Sequence, residues 1–118
     1  MMKILRQTCD IRGARILVDT KAEKILTDKS GLISGVLASS QTDQIYVKAR
    51  AVIIATGGYG DNKELLKKYS RIYRDDMEYQ GVPLLTGDGL IIATEVGAAV
   101  ENAGTLLLEG SLSRHQFT

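Results

Sequence analysis

Two glycine-flanked turns hold the residues best suited to chemistry: Thr56-Gly57-Gly58-Tyr59-Gly60 and Thr86-Gly87-Asp88-Gly89. Glycine lets a backbone turn sharply and lie close to a bound molecule. Where such a turn opens a helix, bare peptide N–H groups and the positive end of the helix dipole converge on an anion. A pair of them about thirty residues apart could grip the anionic groups of one nucleotide cofactor. Each turn alone has a plainer reading. The first could merely connect a strand to a helix, and in the second Thr86 or Asp88 could simply cap a helix. In the functional reading Asp88, short and acceptor-only when ionised, takes a hydrogen bond from a sugar or sugar-alcohol hydroxyl, while Gly87 and Gly89 let that ligand approach. This reading requires the two turns to lie side by side in the folded chain.

Other chemistries find little support. Lys63 stands where a dinucleotide fingerprint beginning at Gly58 would need a small residue, and no Walker pattern occurs. Cys9 is the only cysteine and His115 the only histidine, so neither a disulfide nor a Cys- or His-based metal site can be assembled from these residues. Cys9 reads as a buried thiol. Arg114 and His115 lie in an unpatterned tail that offers no framework for a proton donor. Asp75-Asp76 and Lys67-Lys68 read as solvated surface.

The elements that must position the turns follow from periodicity. Ile4, Leu5 and Cys9 have near-helical spacing before Gly13, predicting the end of a helix. Ala14 to Val18 reads as a short buried strand. Thr20 to Thr27, Leu32 to Ser40 and Gln44 to Lys48 read as three strands joined by the polar turns Asp28-Lys29-Ser30-Gly31 and Gln41-Thr42-Asp43. They predict a three-stranded antiparallel meander over about residues 20–49. Ala51-Val52-Ile53-Ile54-Ala55 is apolar without alternation, as expected of a strand covered on both faces in a parallel sheet. Asp61 and Asn62 offer an N-cap for a helix whose apolar face is Leu65, Leu66, Tyr69, Ile72 and Tyr73. A second helix starts at the Thr86 turn and carries Leu90, Ile91, Ala93, Thr94 and Val96 before Gly97. Thr105 to Leu108 reads as a short strand, and residues 111–118 read as a fraying tail or the start of a capping domain.

Bulk properties agree with a globular α/β chain. The sequence has 118 residues, of which 44% are hydrophobic and 25% charged, with one proline, enough to bury roughly two-thirds of the unfolded surface. A formal net charge of +1 offers no basic face for nucleic acid. No stretch has transmembrane length and the opening residues lack the apolar core of a secretion signal, so the simplest location is cytoplasmic and the default partner is a small molecule.

The run Lys48-Ala49-Arg50-Ala51-Val52-Ile53-Ile54-Ala55-Thr56-Gly57-Gly58-Tyr59-Gly60-Asp61-Asn62, followed by Thr86-Gly87-Asp88-Gly89-Leu90 and Gly97-Ala98, resembles the fumarate reductase and succinate dehydrogenase flavoprotein family. The resemblance covers roughly residues 3 to 110 and is more specific than either motif alone. It implies a mixed α/β fold: a partial, Rossmann-like FAD-binding domain with an inserted β-meander, residues 1–110 forming the middle of that domain. It also implies that Ala22 meets the adenine through its backbone and that Ala55, Thr56 and Gly57, with Gly58, line the adenosine and pyrophosphate side. Asp88 would contact the flavin-proximal half of FAD. The implied parent is an FAD-dependent oxidoreductase passing a hydride to or from a carbon–carbon bond.

Several family features are not among these residues: the opening phosphate fingerprint, the acid for the adenosine ribose and the C-terminal flavin segment. Glu109-Gly110-Ser111 stands where many members place His-Pro-Thr, so the substrate histidine is not carried over and no catalytic residue is expected. The implied chain is a fragment, inactive alone, with sheet edges open to self-association. The alternative is a self-contained, non-enzymatic α/β module that binds a nucleotide or another protein.

Overall fold

The structure, a computed structural model, describes residues 2–105. Its order is α1 (Met2–Ile11), β1 (Lys21–Thr27), β2 (Ile33–Ser39), β3 (Gln44–Lys48), α2 (Lys63–Tyr69) and α3 (Asp88–Glu95), a small mixed α/β arrangement. The described residues divide into two compact units, one ending at Ile53 and the other beginning at Ile54. Among the described residues, no helix is long and apolar enough to cross a membrane.

In the first unit, α1 ends where Gly13 enters the left-handed region at φ 71°. The Gly13 amide donates to the Asp10 carbonyl and the Ala14 amide to the Cys9 carbonyl, which satisfies carbonyls that the helix end would otherwise orphan. Cys9, expected to be buried, is only partly so. The strands form one antiparallel sheet in the order β1-β2-β3, as the alternation predicts.

The register contains an irregularity between Ala22 and Lys24. The ladder pairs Ala22 with Ala38 and Ile25 with Val36, so Glu23 is an extra residue on β1. This bulge explains a sequence oddity. Ala22 and Ile25 are three positions apart, a spacing that would put them on opposite faces of a regular strand, and one inserted residue restores them to the same face. Ala38 and Val36 pair across to Ile45 and Val47 on β3, completing one apolar face whose buried centre is Ile25 and Ala38. Gly35 is required in β2, because a Cβ there would strike the Val47 carbonyl.

The hairpin turn is tied by Asp28, whose carboxylate accepts from the Ser30 and Leu32 amides at 2.8 and 3.0 Å and from the Ser30 hydroxyl at 2.7 Å. The Ser30 hydroxyl foremost, then these amides, hold its pKa below the ordinary carboxylate value.

In the second unit the core is Leu66 of α2 and Ile92 of α3, with Ser70 also buried. The helix expected to run on through Ile72 and Tyr73 stops at Tyr69: Ser70 is its extended C-cap, its amide donating to the Leu66 carbonyl. The following residues make a surface turn with exposed ion pairs, Lys67 to Asp75 at 3.1 Å and Arg74 to Asp76 at 2.7 Å. At the far end, Gly97 (φ 86°) and Ala98 close α3 through the Thr94 and Ala93 carbonyls, repeating the device that ends α1.

Two expected strands are corrected. Residues 14–18 and 51–55 lie outside any ladder, because a strand needs a hydrogen-bonding neighbour as well as propensity. Ile16, Leu17 and Val18 are exposed, and Ile53 is 93% exposed. Thr105 is described without strand pairing, while residues 106–118, including Glu109-Gly110-Ser111, Arg114 and His115, lie outside the described residues.

Candidate functional site

Five of the six residues expected to bind cofactor, Ala55, Thr56, Gly57, Gly58 and Asp88, belong to the second unit, whereas Ala22 lies on β1 in the first. Ala55 to Gly58 are exposed. Gly57 has φ 78°, a conformation suited to glycine. Among the described residues, no hydrogen bond engages the backbone of residues 51–58. Their N–H groups are therefore without partners among the described residues, as donors awaiting an anion would be.

The structure brings the two turns together. A Cβ at Gly89 would collide with Thr56 Oγ1 and meet Ile54 Cγ2, and one at Gly87 would come within 2.5 Å of Leu65 and 2.6 Å of Tyr59. Gly57 likewise approaches Leu85. The missing side chains of Gly87 and Gly89 thus make room for the other turn and for α2. The open glycine is Gly58, whose Cβ would meet nothing within 4 Å.

Hydrogen bonds reinforce this packing. The Asp61 amide donates to the Leu85 carbonyl at 3.1 Å, and its carboxylate accepts from the Leu84 amide at 3.0 Å. That second bond holds Leu84 at φ 70°, an uncommon conformation for a branched side chain. Asn62 caps α2, accepting from the Leu65 amide at 3.1 Å, and its amide nitrogen donates to the Thr86 carbonyl at 2.7 Å.

The plain reading of the second turn is also corrected. The N-cap of α3 is Gly87, in the left-handed region and with no side-chain cap bond. Asp88 is instead the first helical residue, accepting from the Thr86 hydroxyl at 2.8 Å. The sequence marks Asp61 and Asn62 as an N-cap and points to no partner across the chain for either. Their capping chemistry was visible, but nothing local signals a partner more than twenty residues away.

Tyr59 packs between the turns and α2, its ring 6.0 Å from that of Tyr69. Its hydroxyl is buried without a hydrogen-bond partner among the described residues, and burial foremost, with Tyr69 beside it, pushes its pKa up. The site thus combines backbone amides and the Asp61 and Asp88 carboxylates with an aromatic and aliphatic base.

A family model described as "FAD binding domain" matches residues 1–107. The chain belongs to the FAD binding domain family. It is 31% identical over 102 residues to an NADH:acrylate oxidoreductase of Vibrio harveyi, covering 82% of this chain and 10% of that protein. It is 28% identical over 114 residues to a fumarate reductase (cytochrome) of Shewanella frigidimarina, covering 96% of this chain and 20% of that protein. Among solved structures, the open conformation of a flavocytochrome c3 fumarate reductase superposes with a TM-score of 0.70 at 26% identity, over 89% of this chain and 21% of that one. The chain therefore spans only a tenth to a fifth of the length of these relatives, and it matches fumarate reductase-like flavoproteins within their FAD-binding domain.

The residues present fit part of such a cofactor. Partnerless amides at an exposed, Cβ-free turn suit a pyrophosphate, and a carboxylate at a neighbouring helix start suits a hydroxyl.

Proposed function

We propose that this chain supplies the middle portion of an FAD site, over residues 1–110, in an oxidoreductase that moves a hydride to or from a carbon–carbon bond. The observation that carries the reading is the interlocking of the two turns within one unit, with Gly57 against Leu85 and Gly89 against Thr56. The backbone of Ala55, Thr56, Gly57 and Gly58 would donate to the adenosine and pyrophosphate side, Asp88 would accept from a hydroxyl on the flavin-proximal half, and the Ala22 backbone would meet the adenine. FAD, when bound, supplies the hydride chemistry; these residues hold and orient it. Acrylate and fumarate, for which those relatives are named, each carry a double bond conjugated to a carboxylate, which supports a substrate of that class for the whole protein.

In this reading residues 51–55, which form no ladder here, would become a strand of a Rossmann-like parallel sheet once paired with other segments of the domain. Their extended, apolar character, their lack of backbone partners and the exposure of Ile53 support it. The chain alone should bind FAD weakly, since a preorganised cradle needs those neighbours. Titrating the 15N-labelled chain with FAD should shift the amides of residues 55–58 and 88, and that of Ala22, without saturating at micromolar cofactor. Shifts confined to other residues would overturn the site. A tightly bound, stoichiometric yellow complex would overturn the claim that neighbours are needed.

A further inference from the structure

Resting on that reading, we infer that Asn62 and Thr86 are positioning residues that set the Asp88 carboxylate against the glycine turn. The Asn62 amide is satisfied at both ends: its oxygen accepts from Leu65 N–H on α2, and its nitrogen donates to the Thr86 carbonyl. Its orientation is therefore fixed, because only an oxygen can face Leu65 N–H and only an NH2 can face a carbonyl. Thr86 is next in the relay. Its hydroxyl has one proton and two acceptors in reach, Asp88 Oδ1 at 2.8 Å and the Leu84 carbonyl at 3.5 Å. The shorter bond takes the proton, since 3.5 Å exceeds the usual O–H···O range.

The relay matters because α3 begins without a side-chain cap. The residue at that cap position, Gly87, is conformationally permissive. The tie from Asn62 anchors the residue that precedes this uncapped start and references Asp88 to the start of α2, which follows the glycine turn. A carboxylate meant to meet one hydroxyl of a ligand held by that turn needs such a reference, since a hydrogen bond weakens steeply with misalignment. The Asp61 bonds to Leu84 and Leu85 restrain the same segment one step earlier.

The test separates the tie from mere helix capping. Asn62→Asp keeps the acceptor that caps α2 but sets a carboxylate oxygen against the Thr86 carbonyl. In the ligand-free chain, hydrogen exchange should quicken at the Thr86 and Ile91 amides, while the Leu66 and Ser70 amides of α2 stay protected. With FAD as the probe, Asn62→Asp and Thr86→Val should weaken the response at Asp88 about five- to tenfold, the loss of one hydrogen bond. Responses at Gly57 and Gly58 should persist, and Thr86→Ser should restore the response at Asp88. If the wild-type chain responds to FAD and both variants respond equally at Asp88, the positioning role is wrong. If the wild-type chain is silent toward FAD at both turns, the cofactor reading itself falls and the role falls with it.

Discussion

The two units are held by different means. In the first, a ladder of backbone bonds runs through β1, β2 and β3, and the side chains Ile25 and Ala38 fill one face. In the second, α2, α3 and the two turns have no ladder; they are joined by Asp61 and Asn62 reaching backbone atoms of residues 84–86 and by glycines that let one turn sit on the other. A ladder is repetitive and tolerates change at any one rung. A set of side-chain ties concentrates the same task in a few atoms, which suits a place where amides and a carboxylate must be presented at fixed positions.

The comparison can be broken most forcefully through its cores. Ile25→Ala should cost about 3 kcal/mol through lost burial and a residual cavity, and should abolish amide protection along β1 and β2 while α2 and α3 keep theirs. Denaturant unfolding followed by residue-resolved exchange checks both halves of that statement. Simultaneous loss in both units would show that they do not differ as argued.

A smaller effect, about 1–3 kcal/mol from overpacking, is expected for Gly89→Ala, whose methyl group must displace Thr56 and Ile54 side chains. It should loosen the turns and leave the sheet intact, with exchange at the Ile91 amide as the readout. The gentlest probe is pH. Hydrogen bonds from Ser30 and Leu32 lower the folded pKa of Asp28, so its contribution to the hairpin is present above the unfolded value and fades as pH falls through the folded one. Exchange at the Leu32 amide, corrected for its intrinsic pH dependence, should rise in acid. Asp28→Asn should remove that dependence.

This division also decided what could be read in advance. Alternation and turn residues located the meander to within a residue or so of Lys21–Thr27, Ile33–Ser39 and Gln44–Lys48, because both signals are local. Asn62 as a cap and Gly97 as a helix terminator were visible for the same reason. Residues 51–55 misled because their composition describes a strand among neighbours, and the described residues supply none. The length of α2 misled because Ile72 and Tyr73 keep helical spacing beyond a serine that leaves the helix. At the site, residue types marked both turns, but the tie from Asn62 to Thr86 and the packing role of Gly87 and Gly89 arise only when segments far apart in sequence meet.

The extra residue at Glu23 reaches beyond the sheet's own register. A foreign strand seeking to lengthen the sheet along β1 would lose its rhythm of donors and acceptors just past Ala22, where the chain kinks and coils more tightly. Growth of filaments by lateral addition on that side is thereby discouraged, and the deterrent is a matter of backbone count, so it would survive most changes of side chain.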